Sequence, residues 1–132
     1  MEALREDERG QTLAAISNAV LGLHRDNYGR GAVRARTIIQ GDYVACFLED
    51  IYTPVEHTLI RAGQWEQVRN TRTAFQDALS AEFRGAVEEI TGRAVIAFFS
   101  QVHHDPDMGI EAFVLAQPKT ARPGLLSRSA RA

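Results

Sequence analysis

A chain of 132 residues, 45% hydrophobic and 24% charged, has the make-up of one folded domain with a core of its own. A formal net charge of −2 argues against a dedicated nucleic-acid binder, which would be strongly basic. The single cysteine, Cys46, excludes an intrachain disulfide, and no apolar run approaches the roughly 20 residues of a membrane helix.

The start, MEALREDERGQ, is acidic and polar, unlike a secretory signal. A cytoplasmic, bacterial setting without membrane insertion is therefore expected. Residues 1–9 read as a frayed start, 10–117 as a single α+β domain, and 118–132 as a disordered basic tail carrying Lys119, Arg122, Arg128 and Arg131 with no acid.

From about Asp7 to Arg25, Leu13, Ile16, Val20 and Leu23 form one stripe of an amphipathic helix, which the turn Tyr28-Gly29-Arg30-Gly31 ends. VRARTII then alternates Val33, Ala35, Thr37 and Ile39 against Arg34 and Arg36, the pattern of a half-exposed strand. Gln40-Gly41-Asp42 makes a turn. YVACFLE, apolar on both faces, reads as a strand covered on both sides, with Cys46 a buried small hydrophobe.

Thr53-Pro54-Val55-Glu56 is a capping-box helix start, and Gly63 breaks that helix after Ala62. A longer helix is expected from Gln64 to Thr91. Its face is traced by Val68, Arg72, Phe75, Leu79, Phe83, Val87 and Ile90, and Gly92 stops it. Arg72 is the polar member of that face, so its head should find a carboxylate or carbonyl. RAVIAFFSQV and GIEAFVLA form a second hairpin, connected by HHDPDM.

The order α-β-β-α-α-β-β is most economically a four-stranded antiparallel sheet packed with helices. Strands apolar on both faces leave two arrangements. Helices cover opposite faces, or a second subunit covers one; the latter, a homodimer, is the expectation.

Site-type chemistry concentrates in His103-His104-Asp105-Pro106-Asp107, with Glu111 nearby. These are metal-ligand types, and His103, His104, Asp105 and Asp107 are the candidate set. Against it, adjacent strand residues point to opposite faces, and Asp-Pro-Asp is a good turn former. Gly29-Arg30-Gly31 with Arg34 and Arg36 could cradle an anion, yet it runs from helix to strand, the reverse of a phosphate-binding loop. There is no nucleophile elbow and no Cys-His pair, so no catalytic residue is assigned and no cofactor is called for.

Several segments occur together in order: Tyr28-Gly29-Arg30-Gly31, Asp42, Tyr52-Thr53-Pro54-Val55-Glu56, Gly63, Val68 with Arg72, Val87-Glu88-Glu89-Ile90-Thr91-Gly92-Arg93, and Asp105-Pro106-Asp107 with Glu111-Ala112-Phe113-Val114-Leu115. This pattern, over roughly residues 10–117, resembles a bacterial domain family named after MpsC, a component of a Na⁺-translocating, membrane-potential-generating system. The resemblance implies a soluble accessory or regulatory part with a membrane-system partner protein, and it transfers no catalytic residues. The chain departs from the pattern at Ala32, where many relatives have Pro, and at Tyr52, where many have Leu.

The expected function is thus non-enzymatic: a soluble accessory or ligand- and partner-binding domain linked to membrane ion translocation. The competing readings are a metal-dependent enzyme using the His103–Asp107 loop, or phosphate or nucleic-acid binding through Arg30, Arg34 and Arg36.

Overall fold

A computed structural model describes residues 2–30, 32 and 34–118. The expected basic tail lies outside the described residues, apart from Pro118. The elements are α1 (Glu2–Tyr28), β1 (Arg34–Gln40), β2 (Tyr43–Glu49), α2 (Pro54–Arg61), α3 (Trp65–Ala78), α4 (Ser80–Thr91), β3 (Val95–His104) and β4 (Asp107–Leu115). The strands form one antiparallel sheet in the order β1-β2-β4-β3. The α+β class and the element order are those expected from the sequence.

Three boundaries differ, one being the last connection, which shrinks from HHDPDM to Asp105-Pro106 because β3 runs to His104 and β4 starts at Asp107. Helix α1 begins at Glu2 rather than near Asp7. The long helix is broken at Leu79, which ends α3 and begins α4 without a side-chain cap. The apolar spacing continues through this joint, so periodicity alone reads one helix.

Local chemistry explains the other ends. The Thr53 hydroxyl accepts the Glu56 N–H at 3.2 Å and the Glu56 carboxylate accepts the Thr53 N–H at 2.9 Å, closing the capping box of α2. Gly92 ends α4 at φ 69°, a left-handed geometry that a side chain would strain.

All the helices that touch the sheet pack on one face. His24 of α1 and Gln76 of α3 both reach Glu111 of β4, and Ser17 of α1 bonds Thr37 of β1 at 2.7 Å. The arrangement with helices on opposite faces is therefore not the one adopted. The core lies between: Ile16 and Val20 from α1, Val44, Cys46 and Leu48 from β2, Val68 from α3, Phe83 and Val87 from α4, and Phe113 from β4. Phe83, Phe98 and Phe113 stack in sequence, with ring centroids 5.7 and 5.1 Å apart. Each such buried side chain contributes about 1.5–3 kcal/mol relative to exposure.

The opposite face carries no helix among the described residues. Strand alternation places Ile38, Tyr43, Phe47, Phe99, Ile110 and Val114 there. Tyr43 is 67% and Phe99 61% exposed.

Candidate functional site

Two groups of polar side chains stand out. The first is at the end of the sheet where β2 leaves and β4 enters. Asp50 follows β2 at φ 59°, an unusual geometry for a residue with a side chain, and its N–H donates to the Asp107 carbonyl at 3.0 Å. The Asp107 carboxylate accepts the Ile51 N–H at 2.8 Å, and its other oxygen lies 3.8 Å from His57 Nε2 at the start of α2. Asp50, His57 and Asp107 each offer a ligand atom within 4.8 Å of the others, at partly exposed positions. Two carboxylates and an imidazole are a ligand set for a divalent metal. Arg30 opposes that use, since its guanidinium lies 3.4 Å from Asp50 Oδ2.

Of the set singled out in the sequence, only Asp107 joins this cluster. His103 and His104 fall at the end of β3, and their rings lie 6.4 Å apart with planes inclined at 24°. His103 Nδ1 bonds the Pro106 carbonyl at 2.9 Å, whereas the His104 ring packs on Trp65 at 4.6 Å. Asp105 is exposed in the two-residue turn. His57 and Asp50 carry no sequence signal for this role, because the fold brings them to Asp107 from distant positions.

The second group is buried. Arg72 of α3 is 1% exposed. Its Nε and Nη2 donate to the two Glu56 oxygens, each at 2.6 Å, and Nη2 also donates to the Ile51 carbonyl at 2.8 Å. The guanidinium lies over the Tyr28 ring, 3.9 Å from its centroid. Both acceptor types expected for Arg72 are thus present. Burial works against the Glu56 charge, but the Arg72 and Thr53 bonds outweigh it and hold this carboxyl below its usual range. Burial also works against the Arg72 charge, and Glu56 more than restores it.

One turn along α3, Gln76 donates to Glu111 Oε2 at 2.9 Å and accepts the Tyr28 hydroxyl at 2.7 Å. His24 Nε2 meets the same Glu111 oxygen at 2.8 Å. Burial pushes the Tyr28 hydroxyl up to about 12, with Arg72 partly countering it. Glu111 is 2% exposed. Arg72 Nη1 and Glu111 Oε1 have no hydrogen-bond partner among the described residues.

Sequence reasoning marked Arg72 and Glu111 but missed His24 and Gln76. A signal existed: His24 sits four residues after Val20, and Gln76 four after Arg72, each on its helix's buried face.

The three candidate anion-binding arginines do not converge on one another through the bonds they make. Arg30 serves the Tyr52 carbonyl and Asp50, and Arg34 pairs across the strands with Glu49 at 3.1 Å. Arg36 is exposed on the helix-free face. Cys46 is buried as expected, and burial pushes its thiol up to about 11, far from a reactive thiolate.

The family model described as Na⁺-translocating membrane potential-generating system (MpsC) matches residues 8–117. The chain belongs to the MpsC family. No curated protein and no solved structure matches it. Among the described residues, no helix of this MpsC-family domain is long and apolar enough to cross a membrane.

Proposed function

We propose that this MpsC-family domain is a non-catalytic accessory component of a membrane-potential-generating system, working as a homodimer joined through its helix-free sheet face. Family membership supports the link to the system. The dimer rests on the side-chain relief of that face.

The register supplies the relief. Ile38, Ala45, Ala112 and Phe99 stand in one row across β1, β2, β4 and β3, so two alanines floor a trough between larger walls. The hollow is about 330 Å³, with Tyr43 and Val114 also lining it. The exposed Phe99 stands beside this trough, so one patch offers both a knob and a hole. A twofold interface requires that property, because the same patch must supply both knob and hole. The charges on this face, Arg34, Arg36 and Glu49, gather at one corner and leave the centre apolar.

Four strands of about seven residues span roughly 19 by 23 Å, a projected area of about 440 Å² before side-chain relief is added. Relief carries this towards the roughly 800 Å² per partner of a standard interface.

Sedimentation equilibrium tests the assembly. The wild-type chain should run as a dimer, and Ala112→Asp, which plants a charge in the trough, should run as a folded monomer. A wild-type monomer at high protein concentration would remove the dimer from this reading.

A further inference from the structure

Two copies joined through their helix-free faces can meet in more than one orientation, and the side chains of that face distinguish them. Every second residue of each strand points to it, so rows of four cross the sheet about 6.8 Å apart. Ile38, Ala45, Ala112 and Phe99 form one row, small in the middle and large at the ends. The next row, Arg36, Phe47, Ile110 and Gln101, is its inverse, with large apolar side chains in the middle and polar ones at the ends. Tyr43 and Val114 lie in the row beyond the first, Glu49 and Met108 in the row beyond the second. Beside the trough floored by the alanines, the face has a second hollow of about 460 Å³, lined by Phe47, Gln101, Met108 and Ile110, among others.

Sheets packed face to face keep their strand directions aligned to within about 30°. The twofold axis in the interface therefore runs either along the strands or across them. An axis along the strands keeps the rows and exchanges β1 with β3 and β2 with β4. It sets Ala45 over the partner's Ala112, hollow against hollow, and Phe47 over the partner's Ile110, bulge against bulge. It also buries Glu49 on the partner's Met108, an apolar setting for a charge. Gaps of that kind forfeit packing on both sides.

An axis across the strands, between the two middle rows, keeps the columns and exchanges the rows. Phe47 then lies over the partner's Ala45 and Ile110 over the partner's Ala112, so large meets small at every central position. Phe99, 61% exposed, lies over the partner's Gln101, at the second hollow. Polarity matches as well. Tyr43 meets the partner's Glu49, hydroxyl to carboxylate, and Val114 meets the partner's Met108. At the β1 edge, Arg36 lays its stem on the partner's Ile38 and keeps its head in water. We infer that the twofold axis crosses the strands, so that Phe47 and Ile110 of each copy fill the alanine trough of the other. This orientation rests on the homodimer reading and adds to it the residues that meet.

The test is the dimer dissociation constant of the full chain, measured by sedimentation equilibrium on a compensating pair of variants. Ala112→Ile should weaken the dimer at least about tenfold, because the added bulk meets the partner's Ile110 twice in each dimer. Ile110→Ala should weaken it too, since the trough loses its filling. Together the two substitutions exchange large and small within one strand, and should bring the constant back to within about tenfold of wild type. Ala45→Leu with Phe47→Ala repeats the cycle on β2 and decides the matter if a β4 variant fails to fold. A tighter dimer in Ala112→Ile, the result of filling a gap between facing alanines, would overturn this orientation and leave the homodimer standing. Double variants in which the two losses simply add would do the same. A wild-type monomer at high protein concentration would remove the homodimer and the orientation together.

Discussion

Arg72 occupies a position that helical spacing assigns to the core, and its charge is tolerated there because the surroundings are built to receive it. Glu56 takes two of its N–H groups, the Ile51 carbonyl another, and the Tyr28 ring covers its face. Arg72→Met keeps the apolar stem but leaves Glu56, 14% exposed, without its partner. Removing one member of a buried pair costs about 3–5 kcal/mol. Urea denaturation should show a loss of that order, and Arg72→Met combined with Glu56→Gln should recover part of it; an additive double variant would show the pair is uncoupled. The same pair sets an acid limit. Glu56 has its folded value below the ordinary 4.5, so its contribution is fully present above 4.5 and is lost as pH falls through the lower folded value. Stability of the wild type should therefore fall below about pH 4.5 more steeply than that of Glu56→Gln. If both lines fell together, the acid sensitivity would belong to other carboxylates.

At the scale of elements, most of the architecture could be read from local chemistry. Thr53-Pro54-Val55-Glu56 announces α2 because every capping atom lies within four residues, and Gly92 announces the end of α4 because only the left-handed turn is needed there. Glu111 is in phase with Phe113 and Leu115, which are core positions. Three features were not legible. The break at Leu79 leaves the apolar stripe intact, so no residue marks it. The placement of all sheet-packing helices on one face is decided by non-local contacts of α1 and α3 with the same carboxylate. The meeting of Asp50, His57 and Asp107 depends on β4 lying next to β2, an order that spacing along the chain does not encode. Composition of a loop drew attention to the right region, but topology chose the residues.

For the molecule as a whole, Glu111 is the point where the layers are joined. One carboxylate oxygen holds His24 of α1 and Gln76 of α3, helices that otherwise meet the sheet at different strands. Gln76 passes the connection to Tyr28, whose ring lies under the Arg72 guanidinium, so α1, α2, α3 and β4 are joined by hydrogen bonds and one cation–π contact. Such a network is stabilising only while its members are matched, since each buried group stranded without a partner costs more than the bond contributed. Glu111→Ala strands both His24 and Gln76 and should destabilise by about 3 kcal/mol, since each buried group left without its partner costs about 1–3 kcal/mol. For a domain of this size that corresponds to a fall in melting temperature of about 12 °C. Because one carboxylate serves both helices, calorimetry should show a single, lower transition rather than early melting of α1 alone. Glu111→Gln, which keeps one acceptor oxygen but loses the charge, should fall between the variant and wild type. An unchanged melting temperature in Glu111→Ala, or a separate low-temperature transition, would show that the helices are held to the sheet by apolar packing and not through this shared carboxylate.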